Sequence, residues 1–410
     1  MRTIVQKFGG SSLATADLRR IAADHVLAAR ARGVAVVVVC SALGRAPEPY
    51  ATDSLLALVD SAPAGPNRDL LLSCGELIAA AVFADVLRSR GARARAMTGA
   101  QAGIVTDDRH GEARVVRVRP DAVLEALLGG VVAVVAGFQG ATEDGVVTTL
   151  GRGGSDLTAI ALGAALDSEV VEIVTDTSGV LSADPRVVRT ARPIATAGYD
   201  EMAELAAEGA RVMHSGAAAL AHETRTPYAV KGLRDNFGTT IDDDAAPDPE
   251  HPVTGLAARG PLTFVHVQGG RDGEPSVSSV ALFAALAQRG VSIDMINVNA
   301  AGTFFAVDDD DAATTRAVLS EHGIPARVRD GCVAIAVVGS GMRGTPGVVH
   351  RVVRALRGAG VGIHHATDSK ITISLLVSSA DERAALEALH DEFALGRPGG
   401  AREVTREAMV

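Results

Sequence analysis

The first 241 residues alternate short apolar runs with stretches of helical spacing, and this rhythm constrains the fold more than any other feature. TIVQKFGG (3–10) reads as a buried strand entering a glycine turn, and LATADLRRIAADHVLAARARG (13–33) as a helix ending on glycine. VAVVVVCSAL (34–43) is a continuous apolar run suited to a strand covered on both faces. The pattern recurs through a helix at 74–91, a strand at 93–99, a helix at 120–130 and a strand at 131–140. A helix at 155–169 and the strand VVEIVTD (170–176) complete it. Helices of this length imply right-handed crossovers, helices on both faces of a mainly parallel sheet, and a ligand site at the carboxyl ends of the strands. Glycine, serine and charge gather at those ends, in GGSS (9–12), SALGR (41–45), GFQG (137–140) and TDTSG (175–179).

A chain of 410 residues exceeds what one hydrophobic core serves, so two or three domains are expected. IDDDAAPDPEHP (241–252) is acidic, carries prolines and lacks periodicity, which marks 242–252 as a linker. Beyond it a shorter β-α-β rhythm occurs twice, and ALAQRGVSIDMI (285–296) aligns with ALRGAGVGIHHA (355–366). The strand VSIDMINVN (291–299) in one copy answers VGIHHATD (361–368) in the other. This is an internal duplication of a small βαββαβ, ferredoxin-like unit.

A formal charge of −10 and the lack of a basic run argue against a nucleic-acid partner. The start MRTIVQKFGG has no long apolar region behind a basic one, and the short apolar runs are too brief to span a bilayer. A cytoplasmic protein with no membrane partner is therefore expected. Cys40, Cys74 and Cys332 have no metal-binding spacing, which predicts reduced, buried thiols and no metal ligated by the protein.

Lysine occurs only at positions 7, 231 and 370, although Lys and Arg together number 39. A compact ammonium kept beside glycines at a strand end suits a moving phosphoryl group, whereas the arginine fork prefers a fixed two-point grip. TTLGRGGSDLTAIALG (148–163) strips side chains from a loop that opens a helix, where Arg152 could grip a carboxylate. A flexible loop before a capped helix would read the same way. VTDTSGVLSADPR (174–186) offers a plausible nucleotide rim, although its Asp-Pro could be a plain turn. LLLSCGE (70–76) puts Glu76 in an apolar neighbourhood, where a charge should meet a cation such as a substrate ammonium. An exposed glutamate in a first helical turn is the alternative.

In this order, KFGGSS, SALGRAPEPYATDSLL, LLLSCGE, GFQG, LGRGGSD, DTSGVLSADPR, YDEMAELA and GARVMH resemble the aspartokinases of the amino-acid kinase family over essentially the whole chain. PYATDSLL, TGAQAGIVTDD and VAGFQGATE are most similar to the diaminopimelate-regulated aspartokinase I branch. The resemblance implies a three-layer αβα kinase domain over residues 1–241 and a pair of ACT-like domains after the linker. The first ACT unit (264–330) would be inserted into the second, which joins 253–263 to 331–410. The implied reaction is ATP-dependent phosphorylation of the L-aspartate β-carboxylate to 4-phospho-L-aspartate, with Mg²⁺ bridging the phosphates. Related readings are a kinase for another amino-acid carboxylate and a non-catalytic amino-acid sensor.

Carried over by position, Lys7 would bind the transferring phosphoryl with Gly9, Gly10 and Ser11 in support. Ser41, Thr52, Glu76, Arg152 and Ser155 would hold aspartate, with Arg152 on its α-carboxylate and Glu76 on its ammonium. Thr175, Asp176, Gly179, Arg186 and Arg211 would hold ATP, and Lys7, Arg152 and Asp176 form the catalytic set. Ser11, Leu181, Arg211, Ser215 and Lys231 depart from the family's usual residues. Asp294 and Asn297 match effector positions, which implies a homo-oligomer inhibited by an end product, diaminopimelate or lysine ahead of threonine.

Overall fold

The computed structural model describes residues 1–59, 63–210, 213–234, 237–243, 248, 250–268, 277–299 and 301–397. Its first region contains strands β1 (Thr3–Phe8), β2 (Ala35–Cys40), β3 (Ala94–Met97), β4 (Ile104–Thr106), β5 (Val115–Val118) and β6 (Val132–Ala136). These are followed by β7 (Gln139–Ala141), β8 (Val147–Thr149), β9 (Val170–Thr175), β10 (Thr196–Ala197), β11 (Tyr228–Gly232) and β12 (Gly238–Ile241). Eight of them form one sheet in the order β10-β12-β11-β9-β1-β2-β6-β3. Every neighbouring pair is parallel except β11 with β12.

The run of valines in β2 is buried from Val36 to Cys40 because both faces of the sheet are covered. Period-two alternation divides it. Val37 and Val39 join Val5, Val135, Ile160 and Leu162 in one core, beneath the helix Gly154–Ala165. Val36, Val38 and Cys40 join Val26, Ala80 and Phe83 in the other, beneath helices Ala16–Ala31 and Pro66–Ser89. Unlike the short apolar runs of the strands, Pro66–Ser89 is long and apolar enough by composition to cross a bilayer; half of its apolar window is buried in the protein.

A four-stranded sheet, β5-β4-β7-β8, stands apart from the large one and was not expected from the sequence. Its strands are three or four residues long, too short for alternation to show. One cysteine expectation also needs correcting. Cys40 and Cys332 are buried free thiols, but Cys74 is only half-buried because it faces outward on the helix Pro66–Ser89.

The rest of the chain builds β13 (Gly255–Gln268), β14 (Asp294–Asn299), β15 (Gly302–Asp308), β16 (Ala326–Val338), β17 (His365–Asp368) and β18 (Thr372–Ser378). They form a sheet ordered β14-β15-β13-β16-β18-β17. The strands β13 and β16 are 14 and 13 residues long, and each serves both copies of the repeat. Residues 255–259 of β13 pair with 334–338 of β16, two register shifts flank the pair Leu262 and Cys332, and 264–267 then pair with 326–329. Helices Val277–Gln288 and Ala312–Glu321 cover one half, and Val348–Gly358 and Glu382–Glu392 the other. The duplication extends to backbone detail. Gly290 and Gly360, just past equivalent helices, both have φ of 74°, a left-handed conformation glycine adopts freely. Strands β14 and β17 begin three to four residues later than the apolar pattern suggested, because Val291 and Val361 point into the cores from the turn.

Hydrogen bonds join the two regions along a buried seam. Glu201, on the helix Tyr199–Ala207, accepts from Thr254 Oγ1 at 2.7 Å and from the Ser340 amide at 2.8 Å. Ser182 Oγ meets His390 Nε2 at 2.9 Å, and the Leu256 amide donates to the Ser182 carbonyl at 2.8 Å.

Candidate active site

The parallel strands end together, which turns their carboxyl ends into a shelf. The Ser41 amide donates to the Phe8 carbonyl, the Gly137 amide to Cys40, and the Leu233 amide to Thr175. Lys7 sits one residue before the end of β1, opposite Val39 and Ile173. Its Nζ lies 2.7 Å from Asp156 Oδ1, with both side chains mostly buried. A neutralising carboxylate makes a buried ammonium tolerable and fixes where it points. The nearest atom to a side chain built on Gly9 would be Lys7 Nζ, at 3.8 Å, so glycine leaves room beside the ammonium. Gly10 has a packing role as well: a Cβ there would lie 2.5 Å from the Ala42 carbonyl oxygen.

Glu76 reaches this shelf from the helix Pro66–Ser89. It is 2% exposed. Its Oε1 accepts from the Ala42 amide at 3.1 Å, while Oε2 is buried with no hydrogen-bond partner among the described residues. Burial pushes its pKa up to about 8, against the lowering effect of the Ala42 amide. The helix packs closely at Gly75, where a Cβ would lie 2.9 Å from the Tyr50 carbonyl oxygen. That contact brings in the 41–55 segment, which carries half-buried Ser41 at its start and half-buried Thr52 at the first residue of the helix Thr52–Leu56.

Arg152 lies in a tight loop between Gly151 and Gly153, both with φ of 72°. Among the described residues no carboxylate forms an ion pair with it. Ser155 is the second residue of the following helix and packs on Gly137, whose Cβ would meet Ser155 Oγ at 2.9 Å. Lys7, Gly9, Gly10, Ser41, Glu76 and Ser155 therefore share one edge, with Ser11 in the short helix Gly10–Leu13 beside them. Thr175 ends the adjacent β9 and donates to Asp176 Oδ1 at 3.1 Å. Gly179 belongs to the same loop and closes on Thr239, whose Oγ1 accepts from the Val180 amide.

Other expected residues lie elsewhere. The Arg186 guanidinium is engaged by Asp184, two residues earlier, and its turn is held under the helix Glu382–Glu392 by Arg383. Arg211 falls outside the described residues. Asp294 and Asn297 stand on the edge strand β14, where Asp294 pairs with Arg259 and Asn297 accepts from Asn299. Asp156, the partner of Lys7, lies within LGRGGSD, and nothing in that linear pattern tells which of its residues reaches the lysine.

Residues 2–232 match the amino acid kinase family and residues 335–393 match an ACT domain family. Aspartokinase 1 of Bacillus subtilis is 39% identical over 406 residues, covering 97% of this chain and 100% of that one. The aspartokinase of Corynebacterium glutamicum is also 39% identical, covering 97% of each chain. Among solved structures, E. coli aspartokinase III in complex with aspartate and ADP superposes with a TM-score of 0.77 at 26% identity, over 96% of this chain and 100% of that one. The same enzyme in complex with lysine and aspartate gives a TM-score of 0.72, again at 26% identity, over 95% of this chain and 99% of that one. With its parallel sheet, lysine-bearing shelf and duplicated C-terminal unit, the chain belongs to the aspartokinases of the amino-acid kinase family.

Proposed function

We propose that this protein transfers the γ-phosphoryl group of ATP to the β-carboxylate of L-aspartate. The observation that carries the reading is the free, buried Oε2 of Glu76 on the same shelf as the Lys7 ammonium. A substrate ammonium would satisfy that oxygen and pull the Glu76 pKa back down. Arg152, unpaired among the described residues, would take the α-carboxylate and leave the β-carboxylate directed along the shelf. One β-carboxylate oxygen then bonds to the γ-phosphorus as the bond to the β-phosphate oxygen breaks, releasing ADP. No proton moves and no enzyme nucleophile is required. Lys7 neutralises charge on the phosphoryl oxygens, held on line by Asp156. The loop of Thr175, Asp176 and Gly179 lies where the nucleotide would rest; the nucleotide roles of Arg186 and Arg211 rest on the family motifs alone. Among the described residues no group of three His, Cys, Asp or Glu could hold a metal, so Mg²⁺ would arrive with ATP and would supply charge neutralisation at the phosphates alongside Lys7.

The division into a kinase domain (1–241), a linker (242–252) and two ACT units belongs to this proposal. The shared strands β13 and β16 support the insertion of 264–330 between 253–263 and 331–410. Feedback by lysine or diaminopimelate at the ACT pair of a homo-oligomer is the regulation that fits, as the E. coli relative is solved with lysine. A coupled ADP-release assay tests the reaction with L-aspartate, L-glutamate and N-acetylaspartate, each with and without effector. Turnover with aspartate alone supports the proposal. Turnover with N-acetylaspartate would remove the role given to Glu76, and turnover with glutamate alone would shift the assignment to another carboxylate.

A further inference from the structure

Asp69 belongs to none of the motifs that point to the reaction, yet it is the most heavily bonded carboxylate near the shelf. It lies in the first turn of the helix Pro66–Ser89, fully buried. Its Oδ2 accepts from His110 Nδ1 at 2.8 Å, the Gly111 amide at 3.1 Å and the Thr149 amide at 3.0 Å. Its Oδ1 accepts from Thr149 Oγ1 at 2.8 Å. Because an ionised carboxylate can only accept, the imidazole nitrogen facing it donates. Four donors from two separate segments therefore converge on one side chain.

Those segments frame the Arg152 loop. Thr149 ends β8, three residues before Arg152. The 108–112 turn is laid against the same loop: a Cβ on Gly151 would meet the Gly111 carbonyl oxygen at 3.2 Å, and the Ala113 amide donates to the Thr149 carbonyl at 2.9 Å. On the other side, Asp69 shares its helix with Glu76 at a spacing of seven residues, which puts both on one face. Between them the Ser73 carbonyl accepts from Gln139 Nε2 at 2.8 Å, a further tie from this face to the β6–β8 segment.

We propose that Asp69 is a positioning residue for the amino-acid clamp. It fixes the loop carrying Arg152 against the helix carrying Glu76, and so sets the distance between the groups that grip the α-carboxylate and the α-ammonium. The inference rests on the clamp reading given above. It also extends the site to His110 and Thr149, which act through Asp69 and touch no substrate.

The test is a mutant cycle read in KM for each substrate. Misplacing a binding group by about an ångström costs up to ~10²-fold, so Asp69→Ala should raise KM for aspartate ~10–100-fold and change that for ATP less than about twofold. Asp69→Asn keeps an acceptor oxygen and should recover most of the loss. In an Arg152→Ala background, Asp69→Ala should add less than about twofold, because the loop it places no longer carries the guanidinium. Should Asp69→Ala not fold, Thr149→Val and His110→Ala each delete one donor and should show the same dependence on Arg152 on a smaller scale. An equal rise in both KM values, or the same aspartate effect with and without Arg152, overturns the proposal. If Arg152→Ala raises KM for aspartate and the Asp69 variants do not, this inference alone fails. If Arg152→Ala itself leaves KM unchanged, the clamp reading fails and takes this inference with it.

Discussion

Glu76 and Glu201 are buried to the same degree, 2% and 1% exposed, and they behave in opposite ways. Glu201 sits at the seam between the kinase region and the regulatory sheet. Its two oxygens accept from the Gly198 amide, the Ser340 amide and Thr254 Oγ1. Burial alone would raise its pKa, but those hydrogen bonds outweigh it and hold the carboxyl below the ordinary range. Glu76, on the shelf, accepts from the Ala42 amide at one oxygen and has no partner at the other among the described residues, and burial raises its pKa to about 8. A saturated buried carboxylate is a joint. One left half-satisfied costs stability unless something else fills it, and on this shelf the filler is a ligand.

Lys7 is half-satisfied in the same way: its one carboxylate partner among the described residues, Asp156, leaves ammonium protons free for a phosphoryl group. The largest expected effect is there. Lys7→Met and Lys7→Arg should each lower kcat by ~10²–10³-fold with the fold intact, as losing a charge-stabilising donor does. Near-normal turnover in either purified variant would remove the shelf from the mechanism.

Next come the two carboxylates themselves. Glu76→Ala and Arg152→Ala should raise KM for aspartate ~10–100-fold, matching the loss of a charged hydrogen bond, with far less change for ATP. Glu201→Gln should leave KM for aspartate unchanged and lower the free energy of unfolding by about 1–3 kcal/mol in urea titrations. If Glu201→Gln moved the aspartate KM as much as Glu76→Ala did, site and joint would not be separable in this molecule.

The smallest effect is on the pH dependence of stability. Glu76 binds its proton more tightly when folded than when unfolded, so its contribution is fully present below the ordinary carboxylate range. That contribution is lost as pH rises through about 8. Glu76→Gln should therefore flatten the decline in melting temperature between pH 5 and 8, measured without ligand. An unchanged slope would place the Glu76 carboxylate in a wetter setting than the structure shows.

Much of the architecture was legible because its signal is local. The valine run of β2 and the paired repeat of the C-terminal half read directly as a covered strand and a duplication. The β5-β4-β7-β8 sheet was not legible, since strands of three or four residues leave no period. Glu76 could be placed in an apolar setting from LLLSCGELIAAA, yet only coordinates reveal that one of its oxygens has no partner. Asp69 was invisible for the same reason: its bonds to Thr149 span 80 positions, and no spacing rule links residues so far apart. Arg186 illustrates the reverse case, where a residue placed by motif meets a nearer partner, Asp184.

The central claim is that the buried Glu76 carboxylate awaits the substrate ammonium, and proton linkage tests it most directly. L-aspartate is titrated calorimetrically at pH 7 in buffers of differing ionisation enthalpy. With a pKa of about 8 before binding and an ordinary or lower value afterwards, Glu76 should release close to one proton per aspartate bound. Glu76→Gln should release none. Aspartate binding with no linked proton in the wild type, or with the same proton count in Glu76→Gln, would contradict the account.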